Sequence, residues 1–157
     1  MPRATAATQS RSLTEDRESD LEGFVGYNLK RAYLVFSADF RRALGRHGFG
    51  PRQFSALSLI VQFPQITQSE LARKLGIERS GLVAIVDELE GRGFVARMPV
   101  PGDRRVQALA ATKDGRTAYL HAREVVRSHE ETLLSDLTPD ELDTLNGVLR
   151  KIRESEA

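Results

Sequence analysis

Residues 94–112, FVARMPVPGDRRVQALAAT, decide the fold of this chain. Two short runs of strand-like, alternating character lie on either side of a Pro-Gly dipeptide, which is typical of a turn. The segment therefore predicts a β-hairpin. The exposed tip of this hairpin would carry three charged residues, which are Asp103, Arg104 and Arg105.

Two helices separated by a tight turn are predicted directly before the hairpin. Thr67 and Glu70 form an S/T-x-x-E capping box that begins the first of them, TQSELARKLG, and Gly76 ends it. The second runs from Glu78 to Arg92 and carries apolar residues at Leu82, Val83, Ile85, Val86 and Leu89. Two helices around so short a turn predict a helix-turn-helix.

Four further helices flank this segment. Apolar residues at steps of three and four from Leu21 predict one long amphipathic helix, and Pro51 suits the first turn of the next. Thr112 and a second capping box at Thr138-Glu141 begin the last two helices. The predicted order is α-α-α-α-β-β-α-α, which is a mainly α fold with a small β-hairpin.

The composition excludes several classes of protein. The 157 residues include 40% apolar and 29% charged residues, as in ordinary globular domains, and the absence of cysteine excludes disulfides and thiolate zinc sites. No apolar run reaches the length of a membrane span, and the N-terminus lacks the apolar core of a secretory signal. We therefore expect a cytoplasmic protein without a membrane partner. The net charge of +1 combines a basic segment, 27–55, with an acidic one, 124–157.

The second helix of the helix-turn-helix is the predicted reading element for duplex DNA. In such motifs its N-terminal residues, here Arg79, Ser80 and Gly81, enter the major groove. Arginine can form two hydrogen bonds with guanine, and a glycine without Cβ can let the backbone approach a phosphate. Two alternatives remain open: Arg79 is a solvated residue at a helix end, and Ser80 is an N-terminal cap.

The hairpin tip and the preceding helix predict further DNA contacts. Arg104 or Arg105 can enter a narrow minor groove, where the negative potential is concentrated, while Asp103 pairs with one arginine and shapes the loop. Gln68 and Ser69 could donate to phosphate from the start of their helix. The alternative for Gln68 and Ser69 is a role in capping alone.

The run QSELARKLGIERSGLVAIVDELEGRGFVAR, followed by PGDRRVQALAATKDGR, resembles the MarR (multiple antibiotic resistance regulator) family of winged helix-turn-helix repressors. The likeness covers about residues 21–155 in element order. It implies a winged helix-turn-helix with a helical dimerisation region, acting as a homodimer on a pseudo-palindromic operator. The expected domains are a disordered arm at 1–19, a DNA-binding lobe at 51–111, and a dimerisation region formed by 20–50 together with 112–157.

The resemblance also implies a small-molecule effector, typically an aromatic acid, where the dimerisation helices meet the DNA-binding lobe. That junction would collect Tyr33, Phe36, Phe40, Arg46, His47 and Phe54. Rings beside cations suit a planar anion, although aromatic residues at helical spacing are also ordinary core residues. The basic first two helices favour a second hypothesis, in which the effector is an acyl-CoA thioester.

Two other functional classes compete with a DNA-binding regulator. An enzyme is not expected, because His47, His121 and His129 lack metal-ligand spacing and no nucleophile motif or phosphate loop is present. Neither a metal nor a cofactor is expected for the same reason. The remaining alternative is a winged-helix protein-interaction module without an effector or sequence-specific DNA binding.

Overall fold

The computed structural model describes residues 20–45, 48–100 and 103–155, and only the backbone of residues 103–105. After a short 3-10 helix at Asp20–Gly23, its helices are α1 Val25–Gly45, α2 Pro51–Gln62, α3 Gln68–Leu75, α4 Arg79–Gly91, α5 Lys113–Leu133 and α6 Pro139–Glu154. Its strands are β1 Ile66–Thr67, β2 Val95–Val100 and β3 Asp103–Ala111. The chain divides into two compact units, residues 1–34 and residues 35–157.

The described part of the first unit, residues 20–34, exposes its apolar side chains. Phe24, Val25 and Tyr33 are 62%, 67% and 69% exposed. The start of α1 is fixed locally, because the Asn28 amide donates to the carbonyl oxygen of Glu22 at 2.7 Å. The predicted helix from Leu21 is therefore a 3-10 turn followed by α1, whose apolar residues here remain accessible.

The core of the second unit lies among the last turn of α1, helices α2, α3 and α4, the sheet and the first turns of α5. Its largest fully buried side chains are Leu44, Leu57, Ile60, Leu71, Leu82, Val86, Leu89 and Leu109. The predicted apolar spacing of α4 is confirmed at Leu82, Ile85, Val86 and Leu89, which are buried, whereas Val83 is 38% exposed. Tyr119 and Ala122 bring the start of α5 into the same core. We call residues 51–122 of this body the winged lobe.

The sheet has three strands in the order β1-β3-β2, all antiparallel. The hairpin of β2 and β3 is confirmed, but the predicted element order lacked β1, which pairs Ile66 with Leu109 and Thr67 with Ala108. A strand of two residues is too short to show alternation in a sequence. It nevertheless joins the start of the helix-turn-helix directly to the hairpin.

The predicted helix caps are confirmed. Thr67 and Glu70 form a complete capping box at α3, and Thr138 and Glu141 form one at α6. In each box the threonine backbone N–H and hydroxyl both donate to the glutamate, which lowers the pKa of that carboxyl. Gly76 ends α3 in the left-handed conformation, with φ of 64°.

The base of the hairpin is fastened to the start of α5. The Thr112 hydroxyl donates to the carbonyl oxygen of Gly93 at 2.7 Å and accepts from the Gly115 N–H at 3.0 Å. A Cβ at Gly115 would lie 2.0 Å from the carbonyl oxygen of Phe94, so only glycine fits there. This junction sets the direction in which β2 and β3 leave the core.

Candidate nucleic-acid interface

Helices α3 and α4 form the predicted helix-turn-helix. The turn between them consists of Gly76, Ile77 and Glu78, and the Ile77 N–H donates to the carbonyl oxygen of Ala72 at 3.1 Å. Ile77 is half-buried and packs against the core. The turn is therefore short and anchored, which fixes the direction of α4.

The first turn of α4 points its polar residues to solvent. Arg79, Ser80 and Gly81 are all exposed, whereas Leu82, one residue later, is completely buried. The N-cap of α4 is Glu78, and the alternative of Ser80 as the cap is wrong. Within the described residues, a Cβ at Gly81 would meet nothing within 4 Å, so no internal packing requires glycine there. An exposed guanidinium and hydroxyl at a helix N-terminus form a surface that suits base edges and phosphates.

Gln68 and Ser69 lie in the first turn of α3. Gln68 is half-buried and Ser69 is exposed. The capping bonds of α3 come from Thr67 and Glu70, since Thr67 Oγ1 accepts from the Glu70 N–H at 3.3 Å. Capping therefore does not explain the side chains of Gln68 and Ser69, and contact with phosphate stays a prediction for both.

The hairpin carries an irregularity near its tip. Its pairing passes from Pro99–Gln107 to Val100–Asp103, so that residues 104–106 of β3 have no counterpart on β2. A bulge of this kind redirects the residues that it contains. The side chains of Asp103, Arg104 and Arg105 lie outside the described part of the structure, so the minor-groove contact and the Asp103 pairing stay predictions.

Arg97 joins the hairpin to the reading helix, a contact that the sequence pattern did not predict. Its guanidinium on β2 binds Asp87 and Glu90, one helical turn apart on α4, and its side chain is only 20% exposed. The hydrogen bond to Asp87 is the main reason that the pKa of Arg97 is raised, and Glu90 adds to the effect. The two acids are thereby neutralised close to α4, which lowers the local repulsion of phosphate.

Arg92 makes a second link at the C-terminal end of α4. Its guanidinium donates to the carbonyl oxygen of Gly48, and its carbon lies 4.7 Å from the centre of the Phe49 ring and 4.6 Å from that of Phe94. These cation–π contacts join the segment after α1 to the start of the hairpin. Two arginines therefore hold the region where α4 leads into β2: Arg97 from the strand and Arg92 from the end of the helix.

Comparison with known proteins identifies this arrangement. The MarR family model matches residues 50–106, which run from the start of α2 into β3. The solved structure of the transcriptional repressor CouR bound to a 23-mer DNA duplex is 38% identical, with a TM-score of 0.84 over 89% of this chain and 99% of that chain. The chain belongs to the MarR family. It is a transcriptional regulator with a winged-helix DNA-binding lobe.

The chain is also similar to a ligand-bound structure of CouR and to a protein known from its sequence. The structure of CouR bound to p-coumaroyl-CoA is 36% identical, with a TM-score of 0.78 over 88% of this chain and 98% of that chain. A protein of Thauera aromatica, named as a candidate transcriptional regulator for the hcr operon, is 28% identical over 89% of this chain and 85% of its own length.

The residues predicted for the effector of this MarR-family chain are brought together only in part. Tyr33 belongs to the first unit, while Phe36, Phe40 and Phe54 are half-buried in the second. The Phe40 and Phe54 rings meet edge to face, with centroids 5.9 Å apart. Two predicted cations, Arg46 and His47, lie outside the described residues.

The structure adds two residues to this aromatic cluster that were not predicted for it. Tyr119 of α5 stacks on Phe54 at 6.1 Å, and His129 of α5 lies against Phe40 at 6.2 Å. No short-range sequence pattern could have placed them there, because about 65 to 90 residues separate the paired positions. We call Phe40, Phe54, Tyr119 and His129 the aromatic cluster.

The described residues offer neither a metal site nor a membrane span. Among them there is no group of three or more histidine, aspartate or glutamate side chains placed to hold a metal ion. None of the described helices has the length and apolar character needed to cross a membrane.

Proposed function

We propose that this MarR-family regulator is a repressor that binds a pseudo-palindromic operator as a homodimer and is released by an aromatic acid or its acyl-CoA thioester. The observation that carries the proposal is the exposed first turn of α4, held by Arg97 beside a hairpin whose bulge contains two arginines. The proposal includes no catalytic step, since MarR-family regulators act by binding DNA.

The first turn of α4 supports base reading in the major groove. Arg79 is exposed and makes no ion pair among the described residues, so its guanidinium is available to a guanine edge. The buried side of the same helix, from Leu82 to Leu89, fixes its position against the lobe. A rigid helix with a polar end is what direct readout requires, because misplaced donors lose both hydrogen bonds.

The outer helices support a dimer. On α6, Leu145, Val148, Leu149 and Ile152 are between 38% and 48% exposed, and the helix has no buried residue. Apolar faces of this size are typical of interfaces between chains. A dimer would also place two reading helices about one turn of DNA, roughly 34–36 Å, apart.

The basic residues of α1 support a polyanionic effector. Lys30, Arg31, Arg41 and Arg42 are exposed along this helix. A CoA thioester carries phosphates that such cations attract, and a similar protein, CouR, binds p-coumaroyl-CoA. The aromatic cluster supports the ring of such a ligand, since planar rings pack favourably against aromatic side chains.

DNA binding is tested with a duplex that the purified protein itself selects from a random library. Arg79→Ala should weaken binding of the dimer at least about 30-fold, because each of the two chains loses an arginine–guanine pair worth roughly 1–3 kcal/mol. Arg123→Ala removes an exposed arginine of α5 that pairs with Glu124, and serves as the matched control with little expected change. Failure to enrich any duplex would favour the protein-interaction module.

The wing is tested by the double variant Arg104→Ala/Arg105→Ala. We expect weaker binding and a flatter dependence on salt, with the slope reduced by about 0.9 for each phosphate that the two arginines neutralise in the wild type. The dimer should remain intact. Unchanged affinity at moderate salt would refute the wing assignment.

Release of DNA by the effector is tested separately, by titrating the protein–duplex complex with aromatic acids and with their CoA thioesters. If neither class of compound releases the duplex, the proposed effector is refuted.

A further inference from the structure

His129 of α5 has a buried ring nitrogen without a partner. Its side chain is only 7% exposed, and its Nδ1 lies 3.0 Å from Oδ2 of Asp39 on α1. The other nitrogen, Nε2, is buried and meets no hydrogen-bond partner among the described residues. Buried polar atoms almost always have a partner, so this exception asks for a functional explanation.

The pairing with Asp39 determines what the missing partner must be. A carboxylate only accepts hydrogen bonds, so the shared proton is on Nδ1 of the imidazole. The tautomer that leaves no unpaired N–H in the buried site presents a lone pair at Nε2. The Arg42 guanidinium, 2.8 Å from the other Asp39 oxygen, helps to orient this carboxylate. For this tautomer the missing partner is a hydrogen-bond donor.

The surroundings of His129 indicate the kind of molecule that would supply this donor. Phe40 packs edge-on against the imidazole at 6.2 Å and against Phe54 at 5.9 Å, and both phenylalanines are half-buried. Tyr119 closes the cluster behind Phe54. A flat ring that binds between Phe40 and Phe54 would pack against aromatic side chains and would meet one hydrogen-bond acceptor, Nε2 of His129.

We infer that Nε2 of His129 accepts a hydrogen bond from a hydroxyl group on the aromatic ring of the effector. The regulator is thereby selective for hydroxylated rings over the same rings without the hydroxyl. An apolar ring would leave Nε2 buried and unpaired, which is the costly state. The inference rests on the proposed function, because it assumes that the effector is aromatic.

The test compares two thioesters on the DNA-free protein by titration calorimetry. p-Coumaroyl-CoA carries a ring hydroxyl and cinnamoyl-CoA lacks it, and the wild type should bind the first at least about tenfold more tightly. His129→Phe keeps a ring against Phe40 but removes the acceptor, so this preference should disappear. His121→Phe, which changes an exposed histidine of the same helix, should keep it.

A second variant covers the case in which His129→Phe does not fold. Asp39→Ala removes the acceptor at Nδ1, so the preference for the hydroxylated ring should fall. In the wild type, the ¹⁵N shifts of His129 should show Nδ1 protonated and Nε2 changing when p-coumaroyl-CoA is added. A proton on Nε2 in the free protein would overturn the inference.

The outcomes separate this inference from the proposal on which it rests. Equal affinity of the wild type for both thioesters, or an unchanged preference in His129→Phe, overturns the role of His129 and leaves an aromatic effector intact. If neither thioester and neither free acid binds, the proposal of an aromatic effector is overturned as well. Binding of DNA without ligand should be the same in wild type and His129→Phe.

Discussion

Helices α4 and α6 differ in how far their apolar residues are buried. On α4, Leu82, Val86 and Leu89 are completely buried, whereas on α6 the apolar residues 145, 148, 149 and 152 remain more than a third exposed. Both helices have an apolar stripe at helical spacing, so the difference lies in what covers it. The winged lobe completes its core within one chain. The stripe of α6 supports contact with a second chain.

The largest expected effect comes from opening the core of the winged lobe. Leu89→Ala removes a fully buried side chain of α4, so the free energy of unfolding should fall by about 2–5 kcal/mol. Denaturant titration measures this loss. The folded fraction should still form a dimer in sedimentation, because α6 is unchanged. A loss below about 1 kcal/mol would show that the lobe is less closely packed than the structure indicates.

The next effect comes from charging the stripe of α6. In Leu145→Asp/Ile152→Asp, the dissociation constant of the dimer should rise at least about 30-fold, since one central interface side chain contributes roughly 2 kcal/mol. Sedimentation at several protein concentrations measures this constant. Arg150→Asp/Lys151→Asp places two charges on the same helix at exposed polar positions, and should change it far less.

A smaller effect is expected where the hairpin meets α4. Arg97→Gln removes the ion pairs to Asp87 and Glu90, which are partly exposed, so stability should fall by less than about 1 kcal/mol. The free energy of binding to the selected duplex should weaken by more than this, because the hairpin is released from α4 and two acids of the reading helix are left uncompensated. If the triple variant Asp87→Asn/Glu90→Gln/Arg97→Gln regains affinity, the uncompensated acids are the cause of the loss. If Arg97→Gln binds the duplex as tightly as the wild type, neither the released hairpin nor the uncompensated acids affect binding.

The smallest effect concerns the capping box of α3. The pKa of Glu70 is lowered in the folded protein, chiefly by the Thr67 backbone N–H. The stabilisation is therefore present above the ordinary glutamate pKa and is lost as the pH falls through the lowered value. Glu70→Gln cannot ionise, so its stability should decline less steeply in acid than that of the wild type. Parallel acid titration curves would contradict this assignment.

Local signals in the sequence were enough to predict most of the fold. Capping boxes at Thr67 and Thr138, the left-handed Gly76 and the apolar spacing of α4 act over three or four residues, and the structure confirms each of them. The hairpin was predicted from its turn and alternation. Strand β1 was not, because a pair of residues acquires its strand character only from pairing with β3.

The candidate sites were predicted less completely, for a different physical reason. Arg97 meets α4 through a contact between elements, and His129 meets Asp39 across 90 positions of the chain. No short-range periodicity records such pairs. Phe40 and Phe54 were predicted for the effector region, but their neighbours Tyr119 and His129 become visible only once α5 is folded onto the lobe.

The most direct test of the dimeric DNA clamp is the mass of the complex with the selected duplex, measured by light scattering or native mass spectrometry. We predict that two chains bind each duplex and that the protein is also a dimer without DNA. In Leu145→Asp/Ile152→Asp, neither the free dimer nor the complex of two chains with the duplex should form. A single wild-type chain bound with full affinity would contradict this prediction, because the exposed stripe of α6 would then have no role in DNA binding.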